Sequence, residues 1–243
     1  MIKLVNIEKS FGSNHVLRGV NLEVQDGETV LVVGKSGIGK SVLVKCVVGL
    51  LKPDKGEVWI DGIRVDVLND RELNKLRKRF GYVFQHSALF DWMDVLDNVM
   101  LPLKEMGVKP SEARDKALEV LKRVGLEGVE NKYPNELSGG MRKRVGIARA
   151  IITNPDYLFY DEPTSGLDPL TSRLIYDLME ELNEELSCTT IIITHDIELI
   201  RRFGKRVLYL DNGTIEFDGP VENAHLSPSF SKFLGNLPNY TKG

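Results

Sequence analysis

The stretch Thr29-Val30-Leu31-Val32-Val33-Gly34-Lys35-Ser36-Gly37-Ile38-Gly39-Lys40-Ser41 decides the fold. Its first five residues form a short apolar run, the pattern of a strand buried on both faces. The next eight match G-x-x-x-x-G-K-[ST]. Glycines let the backbone curl so that successive N–H groups point inward at phosphate oxygens. The start of a following helix adds partial positive charge. Lys40 has the reach for β and γ phosphates, and the Ser41 hydroxyl suits Mg²⁺. Lys35, Ser36, Gly37 and Ile38 fill the four variable positions, and Lys35 reads as a solvated side chain rather than a catalytic one. One local conflict stands: Val42, Val44, Val47 and Val48 favour strand. The loop before them predicts a helix.

Working outward, Tyr157-Leu158-Phe159-Tyr160-Asp161-Glu162 is a second apolar run, ending in two acids. A hydrophobic strand that delivers adjacent carboxylates at its C-terminal end aims them at the phosphate site of an open α/β sheet. Asp161 is the expected Mg²⁺ holder, and Glu162 the group that orients and deprotonates an attacking water. Between the two runs, Leu137-Ser138-Gly139-Gly140-Met141-Arg142-Lys143-Arg144 opens a helix expected to run from Met141 to Thr153. A Ser-Gly-Gly turn at a helix N-terminus is a second anion site built by the same physics. One chain does not easily place two such sites on one γ-phosphate, so a second copy is expected to supply the other.

The rest of the chain fits around these runs. Met1–Ile7 and Val16–Val24 alternate apolar and polar residues as strands do, and Glu57–Ile60 with Asp61-Gly62 reads as a hairpin arm with its turn. From Asn69 to Thr153 the pattern is mostly helical. Ser111 is the expected cap of a helix whose apolar face is Ala113, Ala117, Leu118, Leu121 and Val124. Asp168-Pro169 starts a helix carrying Leu174, Ile175, Leu178, Met179 and Leu182. Thr189–Ile193 and Arg206–Leu210 are further strands. Strands alternating with helices imply a parallel sheet covered on both faces. Phe230, Phe233, Leu234 and Leu237 line one face of a C-terminal helix, which packs either on its own core or on a partner.

Composition excludes several classes. Of 243 residues, 42% are hydrophobic and 28% charged, a globular balance with enough chain for a sizeable core. The net charge of −3, with Lys and Arg dispersed, gives no basic stripe for nucleic acid. No apolar run approaches the roughly 20 residues of a membrane span. Met1-Ile2-Lys3-Leu4-Val5 carries no signal-peptide pattern. Two cysteines, Cys46 and Cys188, make no disulfide scaffold or metal spacing and read as buried thiols of a reducing compartment.

Taken in order, the loop at 34–41, Gln85 in Val83-Phe84-Gln85, Leu137–Met141, Asp161-Glu162, Ser165-Gly166-Leu167-Asp168 and His195 in Thr194-His195-Asp196 resemble an ABC-type ATPase over nearly the whole chain. The resemblance implies an α/β fold: a P-loop (RecA-like) core, a β-rich N-terminal part and a helical subdomain inserted at about 86–156. Residues 1–243 would form a single domain with a tail at about 221–243. The cofactors implied are ATP and Mg²⁺. Phe11, in Ser10-Phe11-Gly12, matches the ring that stacks on adenine, where tyrosine is more usual; a core phenylalanine is the alternative. Gln85 matches the glutamine that touches Mg²⁺ and water, and His195 the histidine that contacts γ-phosphate. Ser138, Gly139 and Gly140 would act on a partner's ATP, with Asp168 at the dimer seam.

Three stretches narrow the branch. Gly39–Lys45, with valine directly after the loop, Ala88–Leu103, and Met141-Arg142-Lys143-Arg144 resemble the ATPases of Mla-type, MCE-associated phospholipid transporters. Trp92 and Asp94 depart from that pattern, although Asp94 still suits a helix cap. The expected partners are a second copy in a head-to-tail dimer, a membrane permease and further lipid-transport subunits. The expected place is the cytoplasmic face of the inner membrane. An ABC-type ATPase not coupled to transport is the alternative.

Overall fold

The N-terminal alternation folds into β1 (Ile2–Phe11) and β2 (Asn14–Val24), followed by β3 (Thr29–Val33) and α1 (Lys40–Val47). Then come β4 (Lys55–Ile60), β5 (Ile63–Arg64), α2 (Asp70–Arg77) and β6 (Phe80–Val83). Three helices follow: α3 (Val95–Glu105), α4 (Pro110–Arg123) and α5 (Gly139–Ile151). The chain continues through β7 (Tyr157–Asp161), α6 (Pro169–Leu186), β8 (Thr189–Thr194), α7 (Ile197–Phe203), β9 (Val207–Asp211), β10 (Thr214–Gly219) and α8 (Pro228–Gly235). The computed structural model describes residues 1–235, so Leu237 lies outside the described residues. Two compact units emerge: Met1–Asn74 with the chain from Thr189 onward, and Lys75–Cys188. The stretch 86–156 falls inside the second.

The first unit holds two sheet regions. One is antiparallel, in the order β2-β1-β4-β5. Its apolar face is Ile2, Leu4, Ile7, Val20, Leu22, Val24, Val58 and Ile60, all buried. In the other, β3 runs parallel to both β8 and β9, and β10 closes the edge antiparallel to β9. Val30, Leu31, Val32 and Val33 are buried, as a strand with neighbours on both sides and covered faces requires. β10 went unread in the sequence because Glu216 and Asp218 alternate on an edge strand with a half-exposed surface. The valine-rich segment after the loop is helical, with Leu43, Val44, Cys46 and Val47 buried, so tertiary context overrides β propensity. Burial pushes the Cys46 thiol up to about 11. On α8, Phe230, Phe233 and Leu234 are buried. Tyr209 lies 5.1 Å from both phenylalanine rings, and Phe217 lies 4.9 Å from Phe230. The apolar face of the tail therefore packs on its own core.

In the second unit β6 and β7 pair in parallel, Phe80 against Tyr157 through Val83 against Tyr160. β6 corrects the expectation of a helical stretch over Asn69–Thr153: four residues, Phe-Gly-Tyr-Val, are too few to show a period. On α4, Ala113, Ala117 and Leu121 are buried as the spacing predicted, but Pro110 opens the helix and Lys109, not Ser111, is its N-cap. α3 is capped by Asp94, whose carboxylate accepts the Asp97 N–H at 2.7 Å. Buried Asn98 accepts the Phe90 N–H at 2.8 Å and donates to the carbonyls of Phe90, Met93 and Asp94, which fixes the loop before α3. On α6, Ile175, Leu178, Met179 and Leu182 are buried while Leu174 is exposed. Among the described residues no helix is long and apolar enough to cross a membrane.

Candidate functional site

The first unit carries the phosphate loop. Gly39 caps α1 at φ 112, and a Cβ there would stand 2.6 Å from Val16 Cγ1. Both the left-handed backbone and the approach of β2 therefore demand glycine. Lys40 is 5% exposed, and its ammonium donates to the carbonyls of Gly34 at 2.8 Å and Lys35 at 3.0 Å. The cation is thus held over the loop by the loop's own backbone. Lys35, Ser36 and Gly37 are exposed, Ile38 and Ser41 half-buried. Val33 stands in register with Thr194, so Gly34 and His195 leave the same edge of neighbouring parallel strands. His195 is exposed there. Phe11 ends β1 opposite Asn14, two residues before Val16, and is 49% exposed. That excludes the core alternative and leaves an open aromatic face on the hairpin beside the loop. Lys9 lies 5.6 Å from its ring centroid.

The second unit carries the acids. All five β7 residues are buried, and Asp161 at its end is 6% exposed, accepting the Tyr82 hydroxyl at 3.3 Å. Burial and the Asp161 charge push the Tyr82 phenol far up, so it stays a donor. Glu162 follows at φ 48, a left-handed conformation for a non-glycine residue. Gln85, exposed after β6, donates from Nε2 to Ser165 Oγ at 3.2 Å. Lys143 of α5 reaches both places: its ammonium donates to the Gln85 carbonyl and, at 3.3 Å, to the Glu162 carbonyl. Burial pushes Lys143 down to about 8 against the upward pull of Glu162 and Asp161.

α5 also presents the Ser-Gly-Gly turn. Ser138 is its N-cap, accepting the Met141 N–H at 3.3 Å. A Cβ on Gly140 would stand 2.5 Å from Thr171 Cγ2. Thr171 in turn donates from its N–H and hydroxyl to Asp168, at 3.0 and 2.5 Å. These bonds hold the Asp168 carboxyl below its usual range. Ser138, Gly139, Gly140 and Asp168 are therefore brought together where two helices start. Sequence reasoning passed over Tyr82 and Lys143. The second had a signal: Gly140, Ile147 and Ala150, at helical spacing from it, are all buried, so Lys143 falls on the inward stripe of α5.

Ser41, Gln85 and Asp161 offer a hydroxyl, an amide and a carboxylate. With the Gln85 amide nitrogen engaged by Ser165, each of the three presents an oxygen, the donor type that Mg²⁺ takes.

A glycine loop between a buried parallel strand and a helix, with a histidine just past the end of the neighbouring strand, defines a P-loop nucleotide-binding protein. Residues 17–165 match the ABC transporter family. The chain is 42% identical over 228 residues to the methionine import ATP-binding protein MetN of Mesorhizobium japonicum, covering 94% of this chain and 62% of that protein. It is 41% identical over 232 residues to the MetN of Bacillus subtilis, covering 94% and 68%. It thus spans about two thirds of the length of these relatives. Its fold is similar to the ATP-binding cassette MJ0796, solved as a dimer in a post-hydrolysis state with ADP and Pi, at 41% identity and a TM-score of 0.84, covering 91% of this chain and 99% of that one. It is also similar to cbiO1 of Clostridium perfringens, part of an ABC transporter complex, at 31% identity and a TM-score of 0.82, covering 98% and 95%. The chain belongs to the ABC transporter family.

Proposed function

We propose that this chain is the ATP-hydrolysing subunit of an ABC transporter, driving a cargo through a separate permease at the cytoplasmic face of the membrane. The observation that carries this reading is the complete set of phosphate-loop, acidic and Ser-Gly-Gly elements on a chain of that family. Phe11 stacks on adenine. The loop Gly34–Ser41 donates its N–H groups to the phosphates, and Lys40 exchanges its loop carbonyls for β and γ oxygens. Ser41, Gln85 and Asp161 would hold Mg²⁺, which neutralises charge on the β and γ phosphates when bound. Glu162 accepts a proton from the attacking water at its carboxylate, and His195 donates to γ-phosphate. Ser138, Gly139 and Gly140 donate to the γ-phosphate of a second copy, with Asp168 at the seam, so two chains close around two ATP.

The cargo proposed is a phospholipid or another hydrophobic molecule. Its support is the likeness of Gly39–Lys45, Ala88–Leu103 and Leu137–Arg144 to Mla-type ATPases, and further lipid-transport subunits would then complete the assembly. A second reading, methionine import, is favoured by the names of the curated relatives. Co-purification of the permease from membranes, followed by reconstitution, tests both. Stimulation of ATP turnover by phospholipid with no response to L-methionine supports the first, and the reverse supports the second. Absence of ATP turnover with or without permease sinks the transporter reading.

A further inference from the structure

Lys143 is 5% exposed, deep on the inward stripe of α5. A buried ammonium costs free energy unless hydrogen bonds and opposite charges surround it, and a leucine or methionine would fill the space more cheaply. Its ammonium donates to two backbone carbonyls, those of Gln85 and Glu162. These residues lie far apart in sequence, and each carries a side chain assigned above to hydrolysis. Glu162 is held left-handed at φ 48, a conformation that persists only when its surroundings fix it. The grip on the Gln85 loop is local. Ser87 and Ala88, at φ 60 and φ 47, have their carbonyls held separately by Arg149, at 2.6 and 2.7 Å. The Glu162 carbonyl also accepts the Ser165 N–H at 3.1 Å, and the Gln85 amide donates to Ser165 Oγ, so loss of the Lys143 ammonium would loosen the two residues without freeing them, while the following loop stays anchored.

We propose that Lys143 is a positioning residue for hydrolysis: one ammonium, by holding the carbonyls of Gln85 and Glu162 together, fixes both side chains in their working geometry and ties them to the helix that presents Ser138. The inference rests on the roles proposed above for Gln85 and Glu162. It goes beyond them because Lys143 acts through the backbone of two other residues.

The test uses the full chain with ATP and Mg²⁺. Lys143→Met keeps the length and removes the donors; Lys143→Arg keeps charge and donors. Misplacement of reacting groups by about 1 Å costs on the order of 10²-fold, so Lys143→Met should lose about that in kcat. KM for ATP should stay within about threefold, since the phosphate loop is untouched, and Lys143→Arg should recover most of the loss. Hydrogen exchange without nucleotide should quicken at 85–86 and 162–165 in Lys143→Met and stay unchanged at 34–41. A folded Lys143→Met with parental kcat overturns the proposal, as does an arginine variant no better than the methionine one. If Lys143→Met does not fold, Lys143→Leu, which also lacks donors, takes its place: a reduced kcat at unchanged KM supports the proposal and a parental kcat overturns it. Glu162→Gln, run beside these, separates the two layers. Turnover in Glu162→Gln removes the base role itself, whereas its loss beside a parental Lys143→Met removes only the positioning role.

Discussion

Glu162 sits at φ 48 directly after a fully buried strand, and the neighbouring Asp161 is bonded to Tyr82. Strain of this kind is retained where chemistry needs a fixed direction. Glu162→Gln keeps the shape and removes the base, so ATP should still bind while turnover falls by ~10² to 10⁴. The variant should also accumulate with ATP bound, which single-turnover kinetics and retained nucleotide would reveal; near-normal turnover would refute the role. The two acids were legible because an apolar run ends in them, and the loop at 34–41 because each of its residue types has a chemical reason. Lys143 was not read, although its place on the inward stripe hinted at burial. Its meaning depends on carbonyls that only tertiary structure brings near, one of them 58 residues away.

At the scale of elements, the valines after Ser41 show how far local preference can mislead: α1 forms because its start is fixed by the loop and its face by the core. β6 and β10 hid for the opposite reason, being short or on an edge. α5 yields a second prediction. Ser138→Arg removes a cap worth ~1 kcal/mol and puts a cation where the partner's γ-phosphate should dock. Some melting temperature should be lost, ATP should still bind to the variant's own loop, and ATP-dependent pairing should fail. Mixed with Lys40→Ala, it should regain at most one working site, and a normal rate from Ser138→Arg alone would exclude action in trans. The loop before α3 yields a third. Trp92 is 72% exposed and lies 4.9 Å from the Phe90 ring, on a segment pinned by Asn98. Exposed substitutions usually shift stability by no more than about 0.5 kcal/mol, whereas aromatic anchors can carry ~2 kcal/mol of an interface. Trp92→Ala should therefore melt like the parent, bind ATP normally and capture less permease in a pull-down. Transport should fall further than basal ATPase activity. A large drop in melting temperature with unchanged capture would sink the docking role.

At the scale of the whole molecule, the open question is what brings two copies together. The C-terminal helix was the apolar surface that could have done so without nucleotide, and its Phe230, Phe233 and Leu234 are already spent on Tyr209, Phe217 and the core around them. The elements proposed to meet a second copy, around Ser36, Ser138 and Asp168, are polar and exposed or half-exposed. A polar seam offers little apolar burial against the several kcal/mol of translational and rotational freedom lost on association. In the proposed assembly ATP would supply the missing contacts, since binding that favours one state shifts the equilibrium toward it. The free chain should therefore sediment as a monomer or weak dimer. Glu162→Gln with ATP should sediment as a dimer, and ADP should return it to the lighter species. Salt should weaken the ATP-bound dimer, because its contacts are charged and partly solvated. A stable dimer of the nucleotide-free parent at micromolar concentration would contradict this account. The exposed Leu170 and Leu174 of α6 would then be the first surface to substitute, since they are the large apolar side chains left bare beside Asp168.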